Sequence, residues 1–448
     1  MRKAKIYYAR MDEFWTKQQK LEYLESLKSF KDIKWESIEP DAKYNWLLEG
    51  LHSEYEDFLP LGTKEAKSTD GIAAFAIFKL YSNGVKTSRD AWAYNFNADE
   101  LAQNIQRTID FYNDHVFRWR NLADHEKAKY KDISDFTVLD DSRISWSRDL
   151  RQDLERERVL EFSKDKIRES LYRPFTKSKL FFDRILNEEV YRFQKLFPSK
   201  KSEEENQVIC ITNHSQVPFN VQITNRISEI AVGGRPGQCF PFYVYELDET
   251  NRRENITDWA LEQFQIHYQD PKITKWDIFH YTYALLHHPH YCQRYAANLK
   301  RELPRIPFAP EFQPFATAGK RLAEIHINYE QQPEYRLKHI ENKDLPIDWR
   351  VEKMRLSKDK TQIKYNDFLT LAGIPPETFA YKLGNRSALD WIIDQYQVST
   401  DKRSGITNDP NRLDDEEYIV RLIKQIITVS LETVKIVEGL PDLGLPND

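Results

Sequence analysis

Hydrophobic periodicity switches in blocks along this chain, from a period near two to one near 3.6 and back, and this alternation restricts the fold more than any other feature. Residues 72–81 form a nearly continuous apolar run, Ser82-Asn83-Gly84 reads as a hairpin turn, and 91–96 resume a strand. A helix is predicted over 99–117, with Leu101, Ile105, Ile109, Tyr112 and Val116 on one face. Residues 200–206 read as an exposed loop. Strand-like sequence returns at 208–212, 219–223 and 240–245, with Gly233-Gly234-Arg235-Pro236-Gly237 as a flexible loop among them. Residues 258–303 are mostly helical with a break at Pro289, and Pro304, Pro307, Pro310 and Pro314 enforce extended chain. A helix over 319–329, a strand over 360–366 and a short helix over 387–396 follow. A last helix over 415–437 carries Ile419, Leu422, Ile426 and Val434 at helical spacing. The expectation is an α+β fold, with mixed β-sheet regions, extensive helical segments and a C-terminal helix. The expected division is 1–70 and 71–448, the latter with a β-rich part, 71–250, and a mainly helical part, 251–448.

The 448 residues are 40% hydrophobic and 31% charged, which permits a sizeable core and argues against global disorder. Cys210, Cys239 and Cys292 are widely spaced with no CxxC pair, which suits a reducing cytoplasm and argues against a cysteine-built zinc site. The best membrane candidate, 419–437, is interrupted by Arg421, Lys424, Glu432 and Lys435, so no membrane association is expected. Residues 1–5 are basic, but no signal-peptide apolar stretch follows. Residues 5–10 read as a strand with nothing before it to pair with, either an ordinary first strand or the edge of something larger. A helix follows, with Thr16 and Gln19 as a capping box and Leu21, Leu24, Leu27 and Phe30 as its stripe.

Common catalytic signatures are missing. Gly319-Lys320 stands without the rest of a P-loop, there is no GxGxxG, and no Gly-x-Ser-x-Gly elbow occurs. Asp409-Pro410-Asn411 and Ile374-Pro375-Pro376-Glu377 do not fit the Asn/Asp-Pro-Pro-aromatic loop of an amino-methyltransferase. His287, His288, His290 and Cys292 are close enough in sequence to suggest zinc, but Pro289 breaks the helix between them and no second ligand pair follows. No catalytic, cofactor or metal residues are assigned.

Several turns instead set Arg or Lys beside aromatics and small residues, a pattern suited to gripping phosphate and reading base edges. The net charge of −5 does not advertise nucleic-acid binding, but residues 143–184 carry twelve Lys/Arg against eight Asp/Glu. The candidates for DNA contact are Arg89, Arg173, Lys177, Lys179, Arg235, Arg386, Lys402 and Arg403. Arg89 could equally pair with Asp90 or a core carboxylate, and Arg173 with Phe175 could form a packed turn.

In order along the chain, several motifs resemble one family. They are Gly84-Val85-Lys86-Thr87-Ser88-Arg89-Asp90-Ala91-Trp92, Leu171-Tyr172-Arg173-Pro174-Phe175, Cys239-Phe240-Pro241-Phe242-Tyr243 and Tyr295-Ala296-Ala297-Asn298-Leu299-Lys300-Arg301-Glu302-Leu303-Pro304-Arg305-Ile306-Pro307. The most specific is Tyr381-Lys382-Leu383-Gly384-Asn385-Arg386-Ser387-Ala388-Leu389-Asp390-Trp391, with Ser404-Gly405-Ile406 and Asn408-Asp409-Pro410-Asn411 downstream. The ordered set resembles the C-terminal specificity region of type ISP restriction–modification enzymes. The resemblance implies a module that recognises double-stranded DNA and directs an adenine methyltransferase and nuclease. It implies that residues 5–10 look like the tail of a methyltransferase fold, and that methyltransferase, helicase and nuclease act in cis or in trans. S-adenosylmethionine and ATP with magnesium are then expected only in those upstream domains, with no cofactor in this chain. A truncated product, a split subunit and an excised piece all fit this pattern. A methyltransferase fragment with residual activity and a scaffold that binds no DNA stay open as alternatives.

Overall fold

The computed structural model describes residues 4–11, 15–40, 44, 46–47, 50–68, 75–246 and 251–446. Residues 1–3 of the basic start and 72–74 of the expected apolar run lie outside them. The chain divides into two compact units, Met1–His52 and Ser53–Asp448.

In the smaller unit, strand Ile6–Tyr8 pairs antiparallel with Glu36–Ile38, so the first strand has its partner downstream. Helix Lys17–Ser26 starts in the expected capping box, with Gln19 N–H donating to Thr16 Oγ1 at 3.3 Å and Thr16 N–H to Gln19 Oε1 at 2.8 Å. The expected stripe is not a core face: none of the helix's residues is buried, and Leu21, Leu24 and Phe30 are exposed.

The larger unit is α+β, with its helices outweighing several small sheets. Strand Val208–Thr212 lies between Asn220–Thr224 and Gln238–Pro241, all antiparallel, and every residue of the central strand is buried. Ile209, Ile211, Val221, Ile223 and Phe240 pack in one core with helices Lys275–Leu285 and Phe312–Ile327. Tyr55 and Leu61 share that core, and Leu59–Pro60 pairs with Arg305–Ile306, so residues 55–61, ahead of the expected division at 70, are built into the larger unit. The two helices cross closely at Gly319, where a Cβ would collide with the His280 carbonyl oxygen. Pro314 is not in extended chain. It sits in the first turn of its helix, where no backbone N–H is needed.

A second sheet runs in the order Tyr94–Asn95, Thr176–Phe181, Ile167–Arg173, Ile227–Ser228, the last pair parallel. Helix Ala98–Arg120 covers it with the predicted face, Leu101, Ile105, Ile109, Tyr112 and Val116, all buried with Phe181. Asn97 caps this helix by accepting from the N–H groups of Asp99 and Glu100. A third core joins the four-stranded sheet of Lys338–Glu341, Leu369–Ala372, Gln362–Lys364 and Arg355–Leu356 to helices Ala388–Gln395 and Tyr418–Glu438. The terminal helix buries Ile419, Leu422, Ile423, Ile426 and Ile427, each contributing about 1.5–3 kcal/mol relative to exposure.

Three other expectations are corrected. Ser82-Asn83-Gly84 does not fold the chain back on itself: Ser82 bridges Cys239, Val85 bridges Glu229 and Lys86 bridges Glu189, so the segment threads between other strands. Residues 90–93 are a single helical turn, and only Tyr94–Asn95 is strand. Residues 200–205 are not an exposed loop but a short helix whose Glu203 is buried and ion-paired with Arg168. A Gly319→Ala variant is expected to lose at least ~2 kcal/mol, because the helices must separate to admit the methyl group. Urea unfolding of the two proteins side by side measures it.

Candidate nucleic-acid interface

The eight basic residues singled out from sequence fall into three groups. Arg89 is 3% exposed. Its guanidinium donates to the carbonyls of Ser145 (3.0 Å) and Leu186 and to Ser147 Oγ, with Glu188 3.9 Å away. Burial lowers its pKa to about 10, while Glu188 works the other way. The guanidinium presents no face to a nucleic acid, so Arg89 is a clamp on the 143–147 and 183–188 segments rather than the expected DNA contact.

Arg173, Lys177 and Lys179 are partly buried and engaged. Arg173 donates to Glu229 at 2.6 Å and lies 4.0 Å from the Tyr172 ring centre. Phe175 turns at φ 55° and packs against Tyr329 and Tyr381, so this segment is indeed a packed turn. Lys177 pairs with Glu330, and Lys179 with Glu169 at 3.2 Å. Burial alone would raise the Glu169 carboxyl, but Lys177, Lys179 and Arg226 hold it down at about 2. Arg226, 2.9 Å from Glu169, was not singled out from sequence, because nothing in its spacing marks a partner 57 residues away.

Arg235, Arg386, Lys402 and Arg403 are exposed. Arg235 sits in the glycine loop, which is packed rather than slack: a Cβ at Gly237 would strike the Ile211 carbonyl. Glu229 anchors this loop by accepting from Ala231 N–H at 2.7 Å, and burial pushes its carboxyl up to about 7 against the pull of Arg173. Arg386 begins strand Arg386–Ser387, which pairs with Lys382–Leu383 around Gly384 at φ 68°. It donates to Asp394 at 2.6 Å and lies over Trp391. Ser387 then caps helix Ala388–Gln395. Lys402 and Arg403 sit on the turn between Ser399–Thr400 and Thr407–Asn408, which Asp401 holds by accepting from Ser404 N–H at 2.8 Å. Arg403 forms two bonds of 3.0 Å to Asp141, with most of its side chain still exposed. Among the described residues, Arg235 and Lys402 have no ion-pair partner.

These turns are neighbours. A Cβ on Gly234 would come 3.5 Å from Trp391, and one on Gly384 would come 3.6 Å from the Gly233 carbonyl. Asp394 and Asp401 line one cleft together with Asp90 and Tyr172. The asparagines of the downstream motif are structural: Asn408 Oδ1 accepts from Phe96 N–H at 2.9 Å, and Asn411 bonds both backbone groups of Val351. The histidine segment is used in packing. His287 Nδ1 donates to the Tyr283 carbonyl at 2.9 Å and His288 Nε2 to that of Pro441 at 3.2 Å. Among the described residues no three His, Cys, Asp or Glu side chains are grouped to hold a metal ion.

Residues 76–423 match the model of the type ISP C-terminal specificity domain. The chain belongs to that family. No curated protein matches it. Solved structures do, among them the following three. A nuclease-deletion mutant of the type ISP restriction–modification enzyme LlaGI, in complex with a DNA substrate mimic, matches with TM-score 0.85 and 33% identity over 99% of this chain and 40% of that one. DrdV in its complex with DNA matches with TM-score 0.85 and 36% identity over 98% of this chain and 44% of that one. The ATP-dependent type ISP enzyme LlaBIII bound to DNA matches with TM-score 0.83 and 28% identity over 99% and 28%. This specificity domain thus spans less than half the length of each. No described helix is long and apolar enough to cross a membrane.

Two outcomes are expected from the buried charges. Arg89→Met removes a guanidinium that satisfies three buried oxygens and faces Glu188, and should cost about 3–5 kcal/mol in urea unfolding. The depressed Glu169 carboxyl contributes stability above its unfolded value, near 4.5, and that contribution is lost as pH falls toward about 2. Glu169→Gln should flatten this limb of the stability-versus-pH curve.

Proposed function

We propose that this chain binds double-stranded DNA and reads a short site, mainly from the major groove. It would present an adenine to a methyltransferase and direct a helicase–nuclease, acting in cis or in trans. What carries the reading is the placement of four exposed basic side chains, Arg235, Arg386, Lys402 and Arg403, on turns held by rigid elements within the matched segment. Turns fixed in this way suit readout, because the scaffold bears the ordering cost before the nucleic acid arrives. Arg386, stacked on Trp391 and only half covered by its bond to Asp394, has the geometry to exchange that carboxylate for phosphate or a guanine edge. DNA binding by the LlaGI, DrdV and LlaBIII proteins supports the same reading.

In this scheme phosphate contacts supply most of the affinity and its salt sensitivity, and a few bidentate contacts supply specificity, at about 1–3 kcal/mol each. S-adenosylmethionine and ATP with magnesium would be bound by the partner domains rather than by this chain. The cytoplasm, where genomic DNA is accessible, is the proposed location.

Selection from a randomised duplex pool at near-physiological salt tests the reading, with recovery of one short motif as the expected result. Arg386→Glu and Lys402→Glu should each weaken duplex binding and reduce the slope of log affinity against log salt by about one. Full affinity in both variants would remove this face from the interface. A stable complex with a methyltransferase domain and no salt-dependent duplex binding would instead make the chain a scaffold.

A further inference from the structure

Between residues 90–96 and 394–408 lies a cleft of about 390 Å³ whose lining the proposed contacts do not use. Half-buried Phe96 and Tyr172 give it apolar wall, and Asp90 and Asp401 give it carboxylates. Asp90 accepts from Thr87 and from Tyr172 OH at 3.1 Å, and Asp401 from Ser404 and the Arg403 backbone. Among the described residues neither has a cationic side chain within ion-pair distance. Ser178, on the same lining, is 3% exposed, and its hydroxyl has no hydrogen-bond partner among the described residues. A buried hydroxyl left unpaired is costly, and here it marks a position where a ligand's polar atom would be satisfied.

The two signs of charge are segregated. The carboxylates of Asp90 and Asp401 belong to the lining, and they repel phosphate while accepting from N–H donors. Cations stand at the rim: Arg386 is bonded to Asp394 of the lining, and Lys402 and Arg403 follow Asp401 directly. A basic protein segment would be repelled by that rim. A nucleotide matches both layers, with its phosphates outside and an amino-bearing ring inside. The volume exceeds that of a single base, and aromatic walls with hydrogen-bonding groups at the ring edge are how extruded bases are held elsewhere. We propose that the cleft receives one amino-bearing base, such as adenine or cytosine, turned out of a duplex bound on the basic rim. This rests on the DNA-binding reading above.

The test uses the full chain and the best-bound duplex, made with a single mismatched adenine, cytosine or thymine at each position in turn. At one position an unpaired adenine or cytosine should bind roughly tenfold tighter than thymine, because much of the extrusion cost is already met. Ser399→Trp, at an exposed residue on the cleft lining, should abolish that gain while fully paired duplex still binds. An equal gain for thymine, or a gain that survives Ser399→Trp, overturns the proposal. So does loss of association with a methyltransferase domain in Ser399→Trp without any unpaired-base preference, which would give the cleft to a protein side chain. Paired-duplex binding with no preference at any position removes base capture alone. Absence of any duplex binding removes base capture together with the reading on which it rests.

Discussion

The ion pair between Arg173 and Glu229 is the node on which the recognition side depends. Glu229 belongs to three structures at once. Its backbone N–H donates to Leu171, its backbone bridges Val85, and its side chain holds both Arg173 and the first turn of the glycine loop. Gly84 passes so close to the Glu229 carbonyl that no side chain fits there. Removing either partner would strand a buried charge, which is strongly destabilising. The loop bearing Arg235 is therefore positioned by an interaction that itself never needs to meet a ligand.

Charge on this protein is organised by burial rather than by sum. The basic segment over 143–184 looked promising as a binding surface, yet Lys166, Arg168, Arg173, Lys177 and Lys179 are all matched by carboxylates within the unit. What distinguishes Arg235 and Lys402 is the absence of such a match among the described residues. A net charge of −5 is thus compatible with a local cationic rim, because most ionised groups neutralise one another in place.

Legibility from sequence tracked the range of the interactions involved. The face Leu101, Ile105, Ile109, Tyr112 and Val116, the capping box at Thr16 and Gln19 and the terminal helix could be read because period and capping are local properties. The turn at Ser82-Asn83-Gly84 misled because its glycine serves a close backbone approach rather than a hairpin. The 200–205 segment looked like an exposed loop until Glu203 found Arg168, 35 residues away. Arg89 could not be placed from its neighbours, since its partners Ser145, Ser147 and Leu186 are 56, 58 and 97 residues distant. The four candidates that are exposed, Arg235, Arg386, Lys402 and Arg403, lie on turns marked by glycine, serine and asparagine. The cleft lining, drawn from residues 90 to 408, left no linear trace.

Among the described residues the hairpin carrying Arg386 pairs with itself alone, through Lys382–Leu383, and its tip residues Asn385 and Arg386 are exposed while Leu383 and Ser387 are buried on either side. Anchoring and display are therefore assigned to different residues a single position apart. A population of such proteins can drift through new tip residues one substitution at a time without passing through an unfolded intermediate, which is the property a lineage needs if its target sequence is to diversify faster than its architecture.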